Sequence, residues 1–253
     1  FGEYHVLFNI PVALANALSS SLIPALTMAV ASHDRKKTLS QIRVSIRFTL
    51  LIAIPCSIGM AVLADPLSRM LFPGKNVQLL IQLTRVGSFA VLLYSLSTIT
   101  NAILQGLGHL NLPLYHSMIA LVLHLLSLVL FLYVGLGIYG VVLSNIVFAL
   151  IMCFLNQRAI FRHTRFRIDL FRSLFMPMLS GLIMGAVAYV VYFVIYILLP
   201  EGLRKGRVGS ALSILPAVFI AILIYFFLLL KSHTLTREDL DEMPMGGRLK
   251  RFL

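Results

Sequence analysis

Residues 86–157 read VGSFAVLLYSLSTITNAILQGLGHLNLPLYHSMIALVLHLLSLVLFLYVGLGIYGVVLSNIVFALIMCFLNQ, without one Asp, Glu, Lys or Arg. No water-soluble domain needs such a run. A helix of roughly 20 apolar residues crosses a bilayer core of about 30 Å, so the run holds about three crossings. Two breaks divide it, Gly106-Leu-Gly-His-Leu-Asn-Leu-Pro113 and Gly135-Leu-Gly137. Lipid is the solvent, and function has to be read as membrane function.

Composition agrees. Hydrophobic residues make up 59%, charged residues 12%, and the mean hydropathy is +0.95. Ordinary globular chains are about 25% charged. Cys56 and Cys153 both lie in apolar stretches, in neither a CxxC nor a Cys/His metal spacing, and read as small hydrophobes. The net charge of +12 would fit nucleic acid only if the basic groups sat on a soluble module. None is evident, so no nucleic-acid partner is expected.

Outward from the run, charge-poor windows predict seven spans: Tyr4–Ala31, Ser45–Ala64, Leu79–Leu104, Leu112–Val134, Ile138–Ile160, Leu174–Leu199 and Val208–Leu230. Continuous windows, rather than ten-residue alternations, favour helices over a barrel. The expected fold class is an all-α polytopic membrane protein of about seven transmembrane helices.

Alternate connections share a side of the membrane. One side collects fifteen of the 21 Lys and Arg, from Arg35 to Arg47, from Arg158 to Arg172 and from Lys231 onward. The other collects six, at Arg69, Lys75, Arg85, Arg204, Lys205 and Arg207. The positive-inside rule makes the first side cytoplasmic. Residue 1 is then outside and the C-terminus inside. The chain begins at Phe1 with no basic leader, so upstream spans are expected. A short tail helix is expected from Thr236 to about Met243, before Pro244.

Enzyme signals are thin. All nine acids fall in loops, the tail or span ends, and no HExxH, GxSxG or P-loop occurs. No enzyme, cofactor or metal site is expected. Polar groups at depth remain, and such groups are costly and face a cavity or a partner. Arg85, about two turns into the third span, reads as an anion contact or as a snorkelling side chain. Asn101 and Gln105, four apart, share a helix face and offer either substrate contact or interhelical hydrogen bonds. His124, mid-way along the fourth span with His116 eight residues earlier, senses a proton or substrate, or only packs. Asn9, Asn16 and Asn145 are further candidates. Arg43 and Arg47, four apart at the mouth of the second span, would grip phosphate bidentately or serve as positive-inside anchors. Prolines 11, 24, 55, 177 and 216 fall inside the predicted spans, where they kink helices.

The connection Ile103-Leu-Gln-Gly-Leu-Gly-His-Leu-Asn-Leu-Pro113 resembles the LQGxGxxxxP connection of bacterial polysaccharide and lipid-linked oligosaccharide flippases. These belong to the multidrug/oligosaccharidyl-lipid/polysaccharide exporter superfamily. Phe8-Asn-Ile-Pro11, Ser21-Leu-Ile-Pro24, Ile54-Pro-Cys-Ser-Ile-Gly59, Leu71-Phe-Pro-Gly74 and Leu235-Thr-Arg-Glu-Asp-Leu240 are similar to the stage V sporulation protein B group. The resemblance implies fourteen spans with both termini inside, of which seven starting outside would be the second half. Residues 1–160 would then be five spans of the second lobe, 161–230 the last two helices and 231–253 a cytoplasmic tail. It further implies alternating access against the absent first lobe, in a bacterial cell membrane. A lipid-linked oligosaccharide or cell-wall precursor would pass from inner to outer leaflet. Some relatives use an acidic cation site in the second lobe; here the fourth span carries His124 and no acid. A drug/cation antiporter and a seven-helix receptor are the competing expectations. The first would favour acids in its cavity, and this half has none; the second would call for a mid-membrane Lys or for DRY-type and NPxxY-type motifs, which this sequence lacks.

Overall fold

A computed structural model describes residues 2–72, 77–166, 171–200 and 207–231. Seven of its helices are long and apolar enough to cross a bilayer, and the protein is an all-α polytopic membrane protein. In chain order the helices are α1 Gly2–Ala31, α2 Arg35–Val62, α3 Ala64–Leu71, α4 Val77–Gly106, α5 Asn111–Tyr133, α6 Ile138–Thr164, α7 Met176–Leu198 and α8 Arg207–Lys231. A π-helical turn, Phe171–Phe175, leads into α7.

Two differences from the sequence reading have physical causes. α2 starts at Arg35 rather than Ser45, because Asp34 caps it: the Lys37 amide donates to Asp34 Oδ1 at 3.0 Å. A hydropathy window marks where a helix enters lipid; the cap marks where the helix begins. The short helix α3 was not expected. Asp65 and Arg69, paired at 3.0 Å four residues apart, interrupt the hydropathy there while supporting a helix. Prolines 11, 24, 55 and 216 are internal to helices, and Pro177 sits one residue into α7, directly after the π-helical turn. The expected tail helix lies outside the described residues.

α4 is the hub, packing on α1, α2 and α6, while α5 leans mainly on α6, and α7 on α2 and α8. Lipid gives apolar helices no reason to associate, so close packing and polar contacts hold them together. Small residues provide the closeness. A methyl group at Gly106 of α4 would lie 2.9 Å from Leu26 Cδ2 of α1. Gly181 and Gly185, one turn apart on α7, leave no room for a methyl against Ile58 of α2, at 2.8 and 2.7 Å. One buried cluster joins Leu26, Ile46, Ile103 and Ile160, from α1, α2, α4 and α6. Another joins Met184, Ile214 and Tyr225, from α7 and α8. The α5–α6 turn needs its glycines, since Gly135 and Gly137 have φ of 87° and 52°.

Candidate functional site

Helix α1 carries a face that its neighbours leave open. Asn9, Ala13, Asn16, Ser20, Pro24 and Thr27 follow each other at three- and four-residue steps, and all are exposed. The exposed face of α5 is opposite in character, with Leu114, Met118, Leu121, Leu125 and Val129. The hydroxyls of Ser20 and Thr27 return to their own helix, at 3.0 Å to the Asn16 carbonyl and 2.8 Å to the Ile23 carbonyl. The carboxamides of Asn9 and Asn16 have no hydrogen-bond partner among the described residues. Two bare amides on one face are poorly suited to hydrocarbon. That face fits water or another protein surface.

The most connected polar group is one the sequence reading did not select. Asn156 of α6 is fully buried. Its Nδ2 donates to Asn101 Oδ1 at 2.7 Å and to Thr100 Oγ1 at 3.1 Å. Both amide hydrogens are thereby used, so Asn156 Oδ1 must accept from His116 Nδ1, 2.7 Å away on α5. The network requires a hydrogen on His116 Nδ1. Three helices are tied at this level. Asn101 is thus in an interhelical hydrogen bond and still has its own Nδ2 hydrogens for another partner. Gln105, one turn further, is half-buried. The signal for Asn156 was available: it is an amide inside the charge-free run.

The arginines do not converge. Ser57 of α2 donates to the Ser88 carbonyl of α4 at 2.7 Å, which fixes the register of two antiparallel helices. Counting 1.5 Å per residue, Arg47 lies about 15 Å to one side of that bond and Arg85 about 5 Å to the other. Arg85 is exposed on α4. Arg43 is exposed and Arg47 buried, 8% accessible. Spacings of seven and eleven put Arg47 on the face of α2 that bears Ile54 and Ile58, the residues packed on α7. The pair therefore straddles the edge of the α2–α7 contact rather than presenting two open guanidinium groups.

His124 is half-buried against Phe148 of α6, ring centroids 6.1 Å apart and nearly perpendicular. Its Nδ1 is buried without a hydrogen-bond partner among the described residues. Asn145 is half-buried on α6. Tyr139, at the start of α6, donates to Gln82 Oε1 on α4. A cavity of about 400 Å³ lies at the far end of the bundle, lined in part by His33, Arg35 and His163, and none of the predicted residues lines it. No group of His, Cys, Asp or Glu among the described residues has metal-binding geometry.

Fold and polar groups together define a class: a multi-pass helical membrane protein with hydrogen-bonded amides inside its bundle and a polar face on one outer helix. Comparison with known proteins narrows it. The family model described as "Lipid II flippase MurJ" matches residues 5–204, and the chain belongs to that family, within the flippase superfamily its motifs resemble. It is 26% identical over 251 residues to an uncharacterized membrane protein, YabM, of Bacillus subtilis, covering 98% of this chain and 45% of that protein. The lipid II flippase MurJ of Bacillus subtilis is 32% identical over 108 residues, 40% of this chain and 19% of the relative. A probable lipid II flippase MurJ of Bdellovibrio bacteriovorus is 25% identical over 227 residues, 87% of this chain and 42% of the relative. The chain spans less than half the length of each of these relatives.

Proposed function

We propose that this chain supplies one lobe, plus two further helices, of a flippase that carries a lipid-linked cell-wall precursor from the inner to the outer leaflet. A first lobe of the same protein would complete it, and the two would alternate access around a central cavity. The observation that carries the reading is the open face of α1. In a family of flippases, a lobe needs one surface that is wetted or meets its counterpart, and Asn9 and Asn16 mark that surface here. A sugar-pyrophosphate cannot cross bare hydrocarbon; a polar wall lowers that barrier. Asn9, Asn16, Arg85 and Asn101 are the residues proposed to meet the headgroup. Gln105 and His124 would tune the same wall, and Arg43 would attract the anion at the entrance.

The acids with described side chains, Asp34 and Asp65, sit at helix starts, which favours an anionic cargo over a cationic drug. The proposed orientation puts the α1–α2 turn in the cytoplasm, in a bacterial cell membrane, by the asymmetry of Lys and Arg. The protein would act as a transporter without chemistry of its own. The test is lipid-linked saccharide flipping by the full-length protein in proteoliposomes. Headgroup reaching the opposite leaflet faster than in empty vesicles supports the reading. No acceleration across several bacterial glycolipids, with folded protein verified, rejects it.

A further inference from the structure

The cavity of about 400 Å³ lies where the α1–α2 turn, the α4–α5 connection and the end of α6 meet. Its polar wall is His33, Arg35 and His163; Val30, Leu39 and Leu107 form the apolar side. The hydroxyls of Thr38 and Thr164, also in the wall, donate to the Asp34 and Ile160 carbonyls at 2.9 and 2.7 Å. The donors left for a ligand are therefore cationic or imidazole groups. His109 packs against His163, ring centroids 3.9 Å apart and the planes tilted by 36°.

The electrostatics of this corner are unbalanced. The first turn of α2 holds Arg35, Lys36 and Lys37 and no acid. The helix macrodipole already makes that end positive, and cations there are unfavourable. Asp34, the one carboxylate on the turn, is committed to capping the Lys37 amide. Positive-inside sorting explains basic residues near this end, but it does not require a cavity among them. An anion seated in the cavity would offset the dipole and the three cations together.

We propose that this cavity is a binding site for a phosphoryl group, held by His33, Arg35 and His163, with the apolar side accepting the carbon skeleton attached to it. Arg35 supplies the charge and a planar fork of donors; the imidazoles supply one ring donor each. The cavity sits at the ends of spanning helices, so the nearest source is the phosphodiester of an anionic phospholipid; free phosphate offers the same chemistry. The site is distinct from the α1 face and does not depend on cargo transport.

The test uses the full-length protein in neutral detergent, with phosphatidylglycerol, phosphatidylcholine or inorganic phosphate added, read by native mass spectrometry and melting temperature. We expect phosphatidylglycerol to bind about tenfold more tightly than phosphatidylcholine, because both carry the phosphodiester but the choline cation would be held against the basic first turn of α2. The combined His33→Gln, Arg35→Gln, His163→Gln variant should lose that preference, and Lys231→Gln, a charge loss at an exposed position on α8, should keep it. If the triple variant does not fold, Arg35→Gln alone, at an exposed position, should still weaken the preference. Inorganic phosphate that competes with or replaces the lipid identifies the soluble source and supports the site. Absence of any preference for either phosphoryl probe, or a preference unchanged in the variants, overturns the proposal.

Discussion

The hydroxyl of Tyr225 on α8 donates to the backbone carbonyl of Leu51 on α2, 2.9 Å away. That carbonyl is available because Pro55, four residues later, has no amide hydrogen to offer it. A proline in one helix thus creates the acceptor by which another helix is held. Interhelical hydrogen bonds in lipid contribute about 0.6 kcal/mol on average. Tyr225→Phe should lower stability by about that much, measured by unfolding in mixed micelles. In Pro55→Ala the restored amide would compete for Leu51, and the effect of Tyr225→Phe should shrink. A full-sized effect in both backgrounds argues against the coupling.

Gly181 and Gly185 set the distance between α7 and α2. A methyl at Gly185 would stand 2.7 Å from Ile58 Cγ2 and 3.3 Å from Val62 Cγ2. Replacing both glycines by leucine should drive the helices apart and cost about 1–3 kcal/mol or more for overpacking. Cysteine pairs placed across α2 and α7 should then crosslink poorly. Normal crosslinking in the double variant would show that the closeness is not needed.

Asn156 is the buried junction of α4, α5 and α6. Asn156→Leu removes the partner of His116, Asn101 and Thr100 at one stroke, with an expected loss of about 1–2 kcal/mol. Asn101→Leu should cost less, since it takes only one of those bonds. Helix-resolved hydrogen exchange should show α5 loosening first in Asn156→Leu, because α5 is held to the bundle mainly through α6. Uniform exchange across the three helices would contradict the junction.

For transport, Asn9→Leu with Asn16→Leu should reduce headgroup flipping about tenfold or more while membrane insertion stays normal, if this face meets polar cargo. Arg85→Gln should act in the same direction, and so should Arg43→Gln. Arg47 is different: it is buried, and Arg47→Met should show itself first as an altered melting temperature. Flipping at the original rate in the Asn9, Asn16, Arg85 triple variant removes those residues from the proposed path.

His109 lies outside the spans, and its pKa is lowered from the ordinary 6.5, first by burial and then by His163. The unfolded chain therefore binds a proton more readily than the folded one. Stability from this group is present above about pH 6.5 and declines as pH falls toward the lowered folded value. Protection factors in the α4–α5 connection, with exchange corrected for its base-catalysed intrinsic rate, should fall between about pH 7.5 and about pH 5.5, and His109→Gln should flatten the change. An unchanged profile in that variant would assign the pH effect elsewhere.

How much was legible depended on which force left its mark in the sequence. Spans were legible because hydrocarbon excludes charge, and the seven windows fall on seven helices. The start of α2 was not, because it rests on the Asp34 cap, beyond the reach of hydropathy. α3 was hidden for a related reason: eight residues with an ion pair look like a loop to a measure built for lipid. At the candidate site, spacing correctly put Arg43 and Arg47 on one helix side. It had no means of knowing that the folded bundle would bury one of them. Asn101 was noticed as a polar group at depth, but its partner Asn156 lies 55 residues away in sequence. Neither period nor motif connects them; only the parallel packing of α4 and α6 does.

During biosynthesis α4, α5 and α6 emerge with no charged residue between Arg85 and Arg158. Lys and Arg in short loops are what orient nascent helices, so the turns at Gly108 and Gly135 carry no topological instruction of their own. The nearest topological signals for the trio are then those at its flanks, Arg85 and Arg158. On the proposed orientation, a lysine pair placed in the Val134–Gly137 turn would oppose the signal of the flanks, and inverted or incomplete insertion is the expected result.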